Sequence, residues 1–115
     1  MAFLFSCQDQ WGREVVLNDD RWTDHILPNH GELTGNETSV QRAVEHPDAV
    51  NFDLQAANGE NFYCLGVLPA PFDQLLVKVC VRFTHHGAGQ NWRGEVITAY
   101  STNREKFGEV NKWRR

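Results

Sequence analysis

Cysteine is scarce in this sequence: three in 115 residues (Cys7, Cys64, Cys80), an odd number, far apart and with no CxxC pair. That excludes a disulfide scaffold and suits a reducing compartment, so a cytoplasmic protein is expected. Long apolar runs are missing too, and no segment is long enough to cross a bilayer. The opening Met1-Ala2-Phe3-Leu4-Phe5 is too short for a signal peptide and lacks a basic start. There is no P-loop, GxGxxG, HExxH or GxSxG. His25, His30, His46 and Cys64 lack zinc-ligand spacing, and Asp19, Asp20 and Asp24 fit acids at a helix start. No metal or cofactor is therefore expected.

An overall basic charge is also lacking. The net charge is -4, a poor start for nucleic-acid binding, but its distribution is uneven. Residues 82–115 carry seven Lys/Arg against three Glu, a balance of +4, which leaves -8 on residues 1–81. A basic third on an acidic body can still bind phosphate locally. With 41% hydrophobic and 23% charged residues the chain has enough apolar surface to fold, and its length fits one domain, residues 1–115.

What is present centres on a strand pair. In Leu75–Phe83 the residues Leu75, Val77, Val79, Val81 and Phe83 point one way, while Leu76, Lys78, Cys80 and Arg82 point the other. The first set calls for a core. Paired antiparallel, the strand Gly94–Tyr100 adds Ile97 and Ala99 to that core and sets Val96, Thr98 and Tyr100 beside Lys78 and Arg82. A sheet covered on one face and open on the other follows. Its open face would carry cations and hydroxyls, as an anion-binding surface does. The same residues also suit a merely solvated sheet face.

Before this pair, residues 2–17 read as a hairpin. Asn18-Asp19-Asp20 offers N-caps for a short helix on which Trp22, His25 and Ile26 share a face, and Pro28 should end or kink it near Ile26. His30 then lies just beyond. Thr38 to Gln41 fits a capping box for a second helix with Val40, Ala43 and Val44 as its apolar stripe, closed by His46-Pro47. Strands over 50–55 and 62–68 follow. His85-His86-Gly87-Ala88-Gly89 falls in a hairpin loop. From about residue 103 a polar, basic tail ends the chain, with a short helix around Arg104–Phe107. The fold class is α+β: two short N-terminal helices packed on one face of a four- to six-stranded antiparallel sheet.

Histidine can give or take a proton near neutral pH. His25 and His30 are thus candidates for acid–base work, or else ordinary helix and loop residues. His85 could reach over the sheet to touch substrate, or sit at an exposed tip. Arg82 and Arg104 can grip phosphate bidentately and Lys78 as a point charge. Tyr100 can donate to a bridging oxygen or stack on a base.

The segment Trp22-x-x-His25-Ile26-x-x-x-His30-Gly31-Glu32-Leu33 resembles a W-x-x-HI-x-x-x-HPEL signature. Phe62-Tyr63, Val96-Ile97-Thr98-Ala99-Tyr100 and Arg104-Glu105-Lys106-x-Gly108-Glu109 resemble further segments of the same family, the phage- and mobile-element-borne barnase–EndoU–colicin–RelE-like (BECR) nucleases. The likeness spans residues 13–113, with Gly31 where the signature has proline. It implies two N-terminal helices, then a four-stranded antiparallel sheet. It also implies metal-independent endoribonuclease activity, often as a toxin, with RNA as partner and a cognate antitoxin in such systems. His25 or His30 would transfer protons, Thr98 and Tyr100 would line the site, and Arg104 would hold phosphate. The other expectation is a non-catalytic binding module on the same fold. His25 is the first choice for the proton transfer, ahead of His30, and in the enzyme it should lie within about 7 Å of the Thr98/Tyr100 surface.

Overall fold

The computed structural model describes residues 2–86 and 91–115, and the side chains of His85, His86 and Asn91 lie outside that description. The fold is α+β. Its sheet has seven strands in the order β1-β2-β6-β5-β4-β3-β7, formed by β1 (Phe3–Gln8), β2 (Glu14–Asn18), β3 (Ala49–Phe52), β4 (Gly59–Leu65), β5 (Leu76–His86), β6 (Asn91–Thr102) and β7 (Val110–Arg114). It is mixed, not wholly antiparallel, because β2 runs parallel to β6 where Glu14–Val16 meets Arg93–Glu95. The expected count of four to six strands fell short because the edge strand β7 was missed; the N-terminal hairpin was expected, but not its parallel joining to β6. The N-terminal hairpin joins the sheet through β2, and residues 110–114 form edge strand β7 on β3. The expected basic tail is thus a strand, and no helix forms at residues 104–107.

Alternation in β5 sets the core. Val77, Val79, Val81 and Phe83 are buried with Phe62 and Cys64 of β4 and Val15 and Leu17 of β2. Each such apolar side chain contributes about 1.5–3 kcal/mol on burial. Two helical segments cover this face. The second helix, Glu37–Glu45, buries Val40, Ala43 and Val44 as its spacing required. It starts directly after Asn36, so Thr38 lies inside the helix and is not its N-cap, and Ser39 donates to the Val67 carbonyl at 2.6 Å.

The first helical segment departs further from expectation. Residues 19–29 are continuous, with one wide π-turn at Trp22–Ile26 where the Leu27 N–H reaches the Trp22 carbonyl. Pro28 does not end the segment at Ile26, but the regular helix is interrupted just before it by the π-turn, so the expected break takes the form of a local distortion. The wider turn drops Ile26 back over Trp22, and both are buried. His25 is swung off that face and is exposed, so it does not share the face of Trp22 and Ile26.

The β5–β6 pairing also carries a β-bulge. Cys80 pairs with Thr98 but Val81 pairs with Val96, which leaves Ile97 as the extra residue. The inside–outside phase of β6 therefore shifts by one. Val96, not Ile97, joins the core with Ala99, and Ile97 turns to the open face beside Thr98. Gly94 is required nearby: a Cβ there would lie 2.6 Å from Val81 Cγ1 and 2.7 Å from Phe83 Cε1.

Candidate functional site

The face opposite the helices carries Asn51 on β3, Asn61 and Tyr63 on β4, Lys78 and Cys80 on β5, and Thr98 and Tyr100 on β6, joined in register as Tyr63–Lys78–Tyr100 and Asn61–Cys80–Thr98. It is only partly open. To reach β7 beyond β3, the chain leaving β6 crosses this face as a strap over residues 103–109. The strap brings a carboxylate down onto the sheet. Glu109 accepts from Asn51 Nδ2 at 3.2 Å, Asn61 Nδ2 at 2.7 Å, Tyr63 Oη at 2.7 Å and Lys78 Nζ at 3.1 Å. Its side chain is 1% exposed and that of Lys78 5%.

Lys78 was expected to meet substrate phosphate. Instead its charge is paired inside the protein. Burial works to lower its pKa, but the hydrogen bonds with Glu109, Tyr63 and Tyr100 outweigh that and hold it above the ordinary lysine value. Tyr63 is pushed up, first by burial and then by its bond to Glu109. Tyr63 Oη also accepts the Lys106 N–H at 3.2 Å, which fixes the strap at a second point. At its far end Glu105 takes a forked bond from Arg114 at 2.7 and 2.9 Å.

Beside the strap lies a cleft of about 290 Å³, with Tyr100 and Lys78 at its base and Arg104, Lys106 and Phe107 along its rim. Among the described residues neither Arg104 nor Lys106 has a carboxylate within ion-pair distance, and both are exposed. They leave this cleft cationic even with Lys78 neutralised. Lys106 was not singled out from the sequence; its place beside Arg104 depends on the strap.

His30 approaches Tyr100, at the base of this cleft, from the side. Beyond Glu95, β2 no longer covers the β6 edge, and the helical segments lie along it. Glu32, on the 3-10 turn Gly31–Leu33, accepts the Ser101 backbone N–H at 3.0 Å and the Ser101 hydroxyl at 2.8 Å. It thereby caps an edge donor that no strand takes. Burial raises the Glu32 carboxyl, but the two Ser101 hydrogen bonds and nearby His30 outweigh this and hold it below the ordinary glutamate range. Anchored there, the turn stacks His30 on Tyr100, ring centroids 5.1 Å apart and planes at 27°. Lys78 Nζ lies 5.6 Å from the same Tyr100 ring.

The expected site residues thus divide. Tyr100, Lys78 and Arg104 line one cleft, and His30, which is not among its lining residues, stacks on Tyr100 beside it, whereas the favoured His25 is not brought to this face. His25 is exposed on the first helical segment, and its backbone carbonyl accepts from Asn29. Thr98 and Arg82 line a neighbouring cleft on the same face. The backbone of His85 pairs with Trp92, which makes it part of β5 and not of a loop, while its side chain lies outside the described residues. His46 and Cys64 line a third cleft at the far end of the second helix, away from His30. Comparison with protein-family models, with curated proteins and with solved structures finds no match to this chain.

Proposed function

We propose that this protein is an endoribonuclease that cleaves RNA by internal transesterification without a metal ion, on a BECR-like fold, acting in the cytoplasm as a toxin held in check by a cognate antitoxin. The observation that carries the reading is the stack of His30 on Tyr100 beside the Arg104/Lys106 cleft. One group takes the 2'-OH proton as the 2'-oxygen bonds to phosphorus. The P–O5' bond then breaks, and the 5'-oxygen leaves with a proton, giving a 2',3'-cyclic phosphate. His30 serves one of these proton transfers. Tyr100 orients the imidazole and donates to, or stacks on, the nucleotide. Arg104 and Lys106 balance charge on the pentacoordinate phosphorus. Incubating the purified protein with total RNA in EDTA tests this. Cyclic-phosphate ends that disappear in His30→Ala are expected; intact RNA at stoichiometric protein contradicts it.

A second reading, a non-catalytic binding module, is favoured by one specific observation. The most buried cation of the expected phosphate surface, Lys78, is already paired with Glu109, and the -8 of residues 1–81 repels RNA at a distance. Binding of RNA with no change in its length would select this reading.

A further inference from the structure

The strap across the sheet face is tied down on both sides of one outward-pointing ring. Before it, Glu105 is bonded to Asn51 and Arg114, and the Lys106 N–H to Tyr63 Oη. After it, the Glu109 carboxylate is held by Asn51, Asn61, Tyr63 and Lys78. Between these anchors the Glu109 N–H returns to the Lys106 carbonyl at 3.4 Å, which closes residues 106–109 into a turn. Gly108 takes its third position at φ 91°, where a side chain would be strained. Phe107 takes the second position and is 95% exposed. A ring in that place buries almost no apolar surface, so it adds almost nothing to the core.

Other exposed rings in the protein are occupied. Arg93 lies over Phe3, Lys112 lies over Trp11 and Phe52, and Trp11 meets Trp113 edge to face. Phe107 has no ring or cation against it among the described residues. A single exposed apolar residue is ordinary, but this one stands on the rim of the cleft whose cations are Arg104 and Lys106. A molecule that offers phosphates to those cations and a flat apolar body to the ring is a nucleic acid with unpaired bases. In a duplex each base is stacked on both faces, and the protein meets mainly the backbone. In a single strand a base can turn outward onto an aromatic ring. The reaction read at this cleft makes the same demand. In-line attack of the 2'-oxygen needs a nucleotide turned out of helical geometry, and its base then loses stacking neighbours. Phe107 replaces one of them. Because its turn is already anchored on both sides, little further ordering is needed when a base settles on it.

We propose that Phe107 is a base-stacking residue that makes this cleft a site for single-stranded RNA, with one base on the ring and the adjoining phosphates on Arg104 and Lys106. The proposal rests on the RNA-cleaving reading of the cleft and of the His30 stack beside it, and it names the form of RNA that is taken.

The test compares the full chain with its Phe107→Ala and Phe107→Trp variants in anisotropy titrations at several salt concentrations. The probes are a short 2'-O-methyl RNA strand, which transesterification cannot cut, the duplex of that strand, and an abasic strand of equal length. Phe107→Ala is expected to weaken single-strand binding about 5- to 100-fold. It should keep the wild-type salt slope and melting temperature, because no phosphate contact and no core packing is removed. Duplex and abasic-strand affinities should not change, and Phe107→Trp should bind the single strand at least as well as wild type. Unchanged single-strand affinity in Phe107→Ala, an equal loss for the abasic strand, or no saturable single-strand binding by the wild type overturns the stacking site. So does a loss confined to binding of phosphatidylglycerol vesicles, which would make the ring a membrane contact. Cleavage of unmodified single-stranded RNA by Phe107→Ala at the wild-type rate, at sub-saturating RNA, removes the stacking site alone. Phe107-dependent binding by a protein that leaves unmodified RNA intact removes the nuclease reading alone.

Discussion

The His30 imidazole lies stacked on the Tyr100 ring, with centroids 5.1 Å apart. One residue follows the first helical segment and the other belongs to β6, and Glu32 holds the two together through Ser101. Removing Glu32 should therefore act on His30. Glu32→Ala is expected to cost about 1.5–3 kcal/mol of stability, as charged hydrogen bonds do, and to lower RNA cleavage more than the loss of folded protein explains. Chemical denaturation and initial rates at a temperature where the variant is fully folded check this.

The cations on the strap should contribute to phosphate binding as well as to the charge balance of the reaction. Arg104→Ala and Lys106→Ala are each expected to weaken RNA binding and to reduce the salt slope of log K by about 1. Fluorescence titrations at several salt concentrations measure it. An unchanged slope in both variants removes phosphate binding from this cleft.

Glu109 has a structural task. Glu109→Gln leaves Lys78 charged and buried without its counter-ion, and a loss of about 3–5 kcal/mol is expected. Adding Lys78→Met should recover most of it, because replacing both partners of a buried pair by neutral groups is often close to neutral. A double-mutant cycle by urea denaturation separates this coupling from a simple packing defect.

Acid should loosen the end of the sheet through Glu60. Burial raises its carboxyl, but bonds from Arg13 at 2.8 Å and Lys112 at 2.9 Å outweigh that and depress it. A depressed carboxylate stabilises the fold above its unfolded value, near 4.5, and that stability is lost as pH falls through the folded value. Stability should thus decline below about pH 4.5, and Glu60→Gln should flatten the decline while lowering stability at neutral pH. Thermal melts between acid and neutral pH report both effects.

Much of the core was legible because it is local. Alternation in β5 named Val77, Val79, Val81 and Phe83, and helical spacing named Val40, Ala43 and Val44. The missed features depend on partners distant in sequence. β7 has no run of alternating apolar residues, and it becomes a strand only because β3 offers an edge. The bulge at Ile97 arises from pairing register, which residue pattern does not encode, so Val96 and Ile97 were assigned to the wrong faces. Glu109 read as one acid in a basic tail until the strap crossing placed it on Lys78. The histidine signature pointed to His25 before His30, and the structure reverses that order. The π-turn decides this, leaving His25 in solvent and His30 on Tyr100.

The central claim is that His30 performs a proton transfer in RNA cleavage. The direct measurement compares single-turnover cleavage of one RNA, in EDTA, by the wild-type protein, His30→Ala and His25→Ala, each verified as folded. The expected result is a loss of about 10²–10⁴-fold in His30→Ala, with His25→Ala close to wild type. Equal rates for His30→Ala and wild type, or a loss confined to His25→Ala, would contradict it.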